Sequence, residues 1–368
     1  MKRAISILFN LAARRLDGPL TAAIVILVAL GVAVIYSVSG AQTFDRALGQ
    51  LRNFAVALAV MWIVANIQPQ RLMRLALPIY VVGLTLLVCV ALFGEIRNGA
   101  RRWLSLGFTT IQPSEIMKIG VPLALAWYFH KREEGLRARD YALAALLLVL
   151  PTLLVMRQPD LGTSLLIFSS GFFVIFLAGI SWKILISLGV AGAAALPFAW
   201  GTLHDYQRQR LLTLLDPSSD PLGTGYHIIQ STIAIGSGGI LGKGWLNGTQ
   251  GQLDFIPERS TDFILAVFGE EFGLVGNVLL IALYFIVIGR GLMIAMNAST
   301  IFARLLAGAI TLTFFTDAFV NMGMVSGILP VVGVPLPLIS YGGTALLSML
   351  VGFGILMSIS THKQLVAS

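Results

Sequence analysis

The segment IPERSTDFILAV, residues 256–267, places Glu258, Arg259 and Asp262 immediately before an apolar run. Partial shielding from water disfavours a charged carboxylate and raises its pKa, which lets it take a proton from an attacking hydroxyl as a general base. Asp262 also suits a helix cap, but it has company, because Glu270 follows two turns further along a similar face. Glu270 and its neighbour Glu271 either catalyse or fix a helix end. Glu115 and Lys118, three apart in QPSEIMK, share a helix face and can neutralise each other, as a structural pair or as part of a polar site. Asp160, in RQPDLGTS, fits an N-cap of the following helix or a further site acid. Asp317, inside TFFTDAFVNMG, is a locally hydrogen-bonded helix residue or an additional cavity acid.

Basic residues cluster as tightly as the acids. RNGARRW holds Arg101 and Arg102, DYQRQR holds Arg208 and Arg210, and Lys243 and Arg259 flank the acidic stretch. A guanidinium fork binds phosphate oxygens bidentately, so these positions suit an anionic, phosphate-bearing ligand.

Other chemistries fail on the spacing. GSGGILGKGW resembles a phosphate loop, but Ser237 stands where the first Gly is required and Gly244 where Ser or Thr is required. His130, His204, His227 and His362 are scattered without metal-ligand spacing, and no serine sits in a G-x-S-x-G elbow. Cys89 is the single cysteine, so no disulfide framework exists.

The elements that must position these residues are membrane helices. Apolar residues make up 57% of the 368 and charged residues 11%, a balance foreign to a water-soluble domain of this length. A helix needs about 20 apolar residues to cross the hydrocarbon core. Such runs fall near 20–39, 53–70, 75–94, 111–129, 141–156, 161–181, 184–203, 272–289, 305–324 and 341–360. The expected fold is therefore an all-α integral membrane protein of about ten transmembrane helices, a single polytopic domain over 1–368.

An even number of spans puts both termini on one side. Fourteen lysines and arginines fall in loops on that side and ten on the other, with Lys118 inside the fourth span. Positive charge in short loops is retained in the cytoplasm, so both termini are expected there, the first residues forming a short amphipathic tail. The one long loop, 204–271, faces outward. Its turn residues, together with Tyr206, Tyr226, Trp245 and Phe255, predict a structured segment rather than disorder, with a short helix at YHIIQSTIAI. The last outer loop, GILPVVGVPLPLISYGGTA, carries Pro330, Pro335 and Pro337, and irregular backbone at membrane depth is tolerated where it lines a cavity. These residues alone reach an outward-facing, basic, acid-bearing cavity, belonging to a transporter or to an enzyme acting on an anionic lipid.

The strings ARRWLSLGFTTIQPSEIMK, QPDLGTS, DPLGTGYHIIQSTIAIGSGGILGKGW, PERSTDFI and LPVVGVPLPLISYGG occur in an order that resembles the SEDS family of cell-wall polymerases and covers most of the chain. HDYQRQR, VVGVPLPLISYGG and the short N-terminal tail resemble the family's elongation branch more than its division branch. The resemblance implies the SEDS fold and a peptidoglycan glycosyltransferase that polymerises lipid II, the undecaprenyl-diphosphate-linked disaccharide peptide. It implies an active site on the periplasmic face of the bacterial inner membrane. The implied partners are a class B penicillin-binding protein transpeptidase and the MreB/MreC/MreD elongation machinery, with no nucleic acid. The family's essential acid falls on Asp262. Glu115 and Lys118 match charged family positions lining the cavity, and Arg101, Arg102, Arg208, Arg210, Lys243 and Arg259 are the available diphosphate clamps. A divalent cation, Mg or Mn, bridging diphosphate and carboxylate near Asp262 is an alternative clamp. Two rivals fit the same cavity: a lipid II flippase, and a non-catalytic scaffold for the penicillin-binding protein, which has no need of Asp262.

Overall fold

The computed structural model describes residues 16–39, 43–97, 100–105, 110–132, 135–202, 205–220, 223–253 and 255–362. The expected N-terminal tail, His204 and Lys363 lie outside them. In chain order the helices are α1 (Gly18–Val38), α2 (Thr43–Ala65), α3 (Pro69–Phe93), α4 (Pro113–Lys131), α5 (Ala138–Met156), α6 (Leu161–Leu177), α7 (Trp182–Thr202), α8 (Asp205–Leu215), α9 (Thr224–Ser237), α10 (Thr249–Gln252), α11 (Ile264–Met296), α12 (Ile301–Val325) and α13 (Gly343–Thr361). Each of the ten expected spans corresponds to one of them. Seven contain a stretch long and apolar enough to cross a membrane, namely α1, α2, α3, α5, α11, α12 and α13, while α6 and Trp182–Ala195 of α7 are shorter apolar helices. The protein is a multi-pass membrane protein.

Helix α4, which carries Glu115 and Lys118, is buried on most of its surface, including Met117, Val121, Leu125 and Phe129. It packs against α3, α6 and α12 at the centre of the bundle. Helices α2 and α13 approach closely at Gly354, where a Cβ would stand 2.6 Å from the Met61 carbonyl oxygen. With no hydrophobic drive between helices in lipid, such backbone contacts through small residues supply the packing.

One end of the bundle is fixed by Asp17. It caps α1 through the Leu20 amide at 3.2 Å and accepts three hydrogen bonds from Arg290 of α11, two from Nε at 2.9 and 3.2 Å and one from Nη2 at 2.8 Å. Ser360 near the end of α13 reaches the same carboxylate at 3.3 Å. At that end too, Pro69 and Met73 of α3, His130 of α4, Thr300 before α12 and His362 after α13 line one cavity.

Between α7 and α11 the described residues include α8, α9 and α10, and the helix expected at YHIIQSTIAI is α9, packed on α11 and α12. Two features depart from the expected pattern. Arg97 and the ARRW of RNGARRW lie in a small antiparallel sheet, β1 (Glu95–Arg97), β2 (Ala100–Ser105) and β3 (Thr110–Ile111), beside the helices of the expected all-α fold. The eighth long helix starts at Ile264, not near 272, and is broken at Gly273, where φ is 63° and ψ −161°. A break inside lipid strands backbone groups that must find partners. Here the Gly-rich segment 238–244 supplies them: the amides of Lys243 and Gly244 donate to the carbonyls of Glu270 and Glu271, each at 3.0 Å. The amides of Leu274 and Val275 in turn donate to Gly239 at 2.9 Å and Ile240 at 3.1 Å. The approach demands glycine on both sides, since a Cβ at Gly273 would run into the Gly242 amide and one at Gly242 into the Glu271 carbonyl.

Candidate functional site

Asp262 sits in the turn that leads into α11, at the end of the bundle opposite Asp17. The turn is rigid. Glu258, in left-handed backbone at φ 51°, accepts the amides of Thr261 and Phe263 on its carbonyl, at 3.0 and 3.2 Å, and its carboxylate takes the Thr261 hydroxyl at 2.8 Å. The segment 326–342 between α12 and α13 clamps the turn from the other side. Ser340 Oγ donates to the Thr261 carbonyl at 2.6 Å, and the Tyr341 amide donates to Ser260 at 2.8 Å. Gly333 of this segment, at φ 74°, faces the carboxylate; a Cβ there would lie 3.4 Å from Asp262 Oδ2.

No side chain or amide among the described residues hydrogen-bonds to the Asp262 carboxylate. Burial pushes its pKa up to about 6, the nearby Glu258 carboxylate pushes the same way, and Arg210 and Arg102 pull against them. An acid whose pKa is raised toward neutrality, with guanidinium groups in its field, has the character of a general base beside an anion clamp.

The two arginine clusters divide by geometry. Successive residues of a strand point to opposite faces, so in β2 Arg101 is exposed while Arg102 turns inward. Arg102 donates to the Pro159 carbonyl at 2.5 Å, and its Nε stands 3.7 Å from Asp160 Oδ2. Residues two apart on a helix also diverge. On α8, Arg208 donates to the Trp200 and Gly201 carbonyls, at 3.0 and 2.8 Å, tying down the end of α7, whereas Arg210 acts on Asp262. Asp160 caps α6 through the Thr163 amide at 3.1 Å and receives Gln112 at 3.5 Å, so it is a cap that also anchors an arginine of the site. Arg259 has its pKa lowered by burial and by Arg46.

Lys243 and Glu270 belong elsewhere. Glu270 is fully buried, takes the Lys243 ammonium at 2.6 Å and accepts the amides of Thr249, Gln250 and Gly251 at 2.9 to 3.3 Å. It thus fixes the start of α10 under the Gly-rich segment. Glu271 is likewise buried and accepts the Ser37 hydroxyl from α1.

A second polar cluster lies deeper. Lys118 pairs with Glu115 at 2.8 Å, and Ser348 of α13 donates to the other Glu115 oxygen at 2.5 Å. Asp317, only 7% exposed and with Oδ1 unpartnered among the described residues, acts electrostatically on Lys118. Lys118, Asp317 and Ser348 line a cavity of about 60 Å³ whose walls include Phe314, Phe353, Val334 and Pro335. The proline-rich segment is therefore a cavity wall on one side and the support of Asp262 on the other. Lys118 also feels Asp160, which links the deep cluster to the outer one.

Sequence reasoning did not single out Asn321 or His227. Asn321, near the C-terminal end of α12 and fully buried, donates to the carbonyls of Asp262 at 2.8 Å and Val334 at 2.7 Å. An uncharged amide in an apolar run carries little signal, although its depth in a span was the available one. His227 of α9 stacks on Phe263, centroids 5.2 Å apart, and burial lowers its pKa against the pull of Glu258 and Asp220. Among the described residues no three His, Cys, Asp or Glu side chains are grouped to hold a metal ion. The surroundings of Asp262, one further carboxylate and two guanidinium groups, are those of an anion site and do not form a cation cage.

Comparison with known proteins gives a consistent picture. The FTSW/RODA/SPOVE family model, described as "Cell cycle protein", matches residues 19–365. The peptidoglycan glycosyltransferase MrdB of Escherichia coli strain K12 is 51% identical over 355 residues, which cover 96% of this chain and 95% of that protein. Among solved structures, a chain from a peptidoglycan synthase complex that coordinates polymerization and crosslinking is similar with a TM-score of 0.81 and 36% identity, covering 94% of this chain and 97% of that one. The Thermus thermophilus rod shape determining protein RodA gives a TM-score of 0.71 and 29% identity, covering 94% of this chain and 96% of that one.

Proposed function

The chain belongs to the FtsW/RodA/SpoVE family and is a peptidoglycan glycosyltransferase, and we propose that it polymerises lipid II with Asp262 as the general base. The observation that carries this reading is the Asp262 carboxylate itself: half-buried, free of hydrogen bonds among the described residues, raised to about 6, and set in the field of Arg102 and Arg210.

In the proposed reaction the 4-hydroxyl of one sugar attacks the anomeric carbon of another. The new C–O bond forms as the bond from that carbon to the lipid diphosphate breaks. The hydroxyl proton passes to Asp262, and the departing diphosphate takes the bonding pair, its growing charge met by Arg102 and Arg210. The rigid turn holds the base still, and positioning contributes to rate by sparing the entropy of bringing the groups together. A lipid-tethered substrate explains why the base stands at the mouth of a helix bundle. The scheme routes no step through a divalent cation, because the donor set around Asp262 suits an anion.

The setting follows from the same reading. We place the Asp262 end in the periplasm and both termini in the cytoplasm, in the bacterial inner membrane, the chain acting as one polytopic domain whose 204–271 segment faces outward. The partners are a class B penicillin-binding protein, which crosslinks the new strands, and the MreB/MreC/MreD machinery of elongation, so that the activity maintains rod shape. The test is to purify wild type and Asp262→Asn with the cognate class B partner, supply labelled lipid II, and resolve products on a gel. Strands from wild type and none from an equally folded Asn variant are expected. Equal strand formation by both would remove Asp262 from the chemistry.

A further inference from the structure

The end of the bundle opposite Asp262 carries a pocket that the polymerase reaction does not use. It lies between the last turn of α4 and the first turn of α5, is open on one side with a volume of about 490 Å³, and is lined by His130, Lys131, Arg132, Arg137, Arg139 and Asp140. The single carboxylate of the lining is fully engaged. Asp140 accepts the Tyr128 hydroxyl at 2.9 Å and the Arg137 backbone amide at 2.9 Å, and lies 3.8 Å from Arg132 Nε. Lys131 and the guanidinium groups of Arg137 and Arg139 have no carboxylate at ion-pair distance among the described residues. With Glu133 and Glu134 of the joining segment counted, residues 130–140 still hold four permanent cations against three carboxylates.

The depth of the pocket is marked by aromatic side chains. Lys131 Nζ lies 4.4 Å from the ring centroid of Trp127, Tyr128 bonds to Asp140, and Tyr141 of α5 donates to the Gly179 carbonyl at 3.2 Å. Trp and Tyr collect where lipid headgroups meet the hydrocarbon, and basic pockets between helix ends at that depth attract anionic headgroups.

We propose that this pocket binds a phosphate diester, the headgroup of an anionic phospholipid in the leaflet at the α4–α5 end. The guanidinium forks of Arg137 and Arg139 grip the phosphate oxygens, and Lys131, pinned over Trp127, supplies a third charge. A headgroup held there steadies the end of α4, the helix that carries Glu115 and Lys118 to the deep cavity. The site is independent of the glycosyl-transfer site and stands whether or not Asp262 is the base.

The test is native mass spectrometry of the full chain, titrated separately with phosphatidylglycerol, with phosphatidylcholine and with inorganic phosphate. Wild type is compared with Arg137→Gln/Arg139→Gln, with Arg137→Lys/Arg139→Lys, and with Arg71→Gln/Arg74→Gln. Wild type is expected to retain phosphatidylglycerol over phosphatidylcholine. The Gln pair is expected to weaken that binding about thirty-fold, the factor two charges supply at an anionic headgroup, while the Lys pair keeps most of it and the Arg71/Arg74 pair changes it little. Inorganic phosphate binding as tightly as the lipid, with the same loss in the Gln pair, assigns the anion site to a soluble phosphate ester in place of a lipid. Equal retention of both lipids, or the same affinity in wild type and the Gln pair, overturns the proposal.

Discussion

The side-chain amide of Asn321 holds the backbone carbonyl of Asp262 at 2.8 Å and that of Val334 at 2.7 Å, so one residue near the C-terminal end of α12 ties the turn that carries Asp262 to the wall of the deep cavity. Replacing Asn321 by Leu leaves two carbonyls without their donor, at a cost of about 1–3 kcal/mol for each that stays buried. The expected phenotype is a lower melting temperature together with a fall in polymerisation rate larger than the loss of folded protein. A variant with wild-type rate and stability would show that the tether does not position the base.

The pH profile of polymerisation should report Asp262 directly. With a pKa near 6, the carboxylate gains its base form as pH rises through that value, so the rate climbs along a single-proton acid limb. Glu258→Gln removes a neighbouring negative charge and moves the limb to lower pH, whereas Arg210→Gln removes a positive one and moves it higher. A limb that stays in place in both variants would assign it to another group.

The raised pKa of Asp262 also couples stability to pH. The native pKa of about 6 exceeds the ordinary 3.8, so the native state holds a proton that the unfolded chain has lost. That contribution is fully present below about pH 4 and disappears as pH rises through 6. At pH 8 the half-buried, ionised carboxylate is a cost, and Asp262→Asn should be more stable than wild type by on the order of 1–3 kcal/mol, the difference vanishing near pH 4. Thermal melts at the two pH values provide the check, and a destabilised Asn variant at pH 8 would contradict it.

Glu270 is expected to fail differently. Its loss strands the Lys243 ammonium and the amides at the start of α10, and breaking a buried pair on one side costs about 3–5 kcal/mol. Glu270→Ala should therefore lose activity in proportion to folded protein. A variant with a wild-type melting curve and no activity would move Glu270 into the chemistry.

The deep cluster calls for a triple-mutant cycle. Lys118→Met leaves Glu115 and Asp317 facing one another in a cavity with no cation, and it should be strongly destabilising. Adding Glu115→Gln and Asp317→Asn to that background removes the excess charge and should restore part of the loss, with a coupling of about 1–3 kcal/mol. Additive melting temperatures would show that the three groups do not share a field.

The apolar runs showed all ten long helices, because the demand that lipid places on the backbone is written in composition. The acid before α11 was equally legible, since a carboxylate at a membrane mouth has few uses. Geometry within the polar clusters was not. Arg101 and Arg102 differ only in which side of β2 they face, and Arg208 and Arg210 only in their angle on α8. Glu270 and Glu271 made the start of α11 read as loop, when they are buried beneath a Gly-rich segment from earlier in the chain. Asn321 carries no charge, and its importance lies in two carbonyls distant in sequence.

The break at Gly273 also bears on how the protein is made. The four hydrogen bonds that close it join residues only 27 to 35 positions apart, and the Gly-rich partner precedes the helix it repairs. Contacts of such short separation form early and need little loop closure. By the time the second half of α11 leaves the ribosome, the strand of chain that satisfies its first free amides has already been synthesised. The stretch from α9 to α11 can then assemble as a local unit, with the turn that bears Asp262 already shaped before α12 and α13 arrive to clamp it.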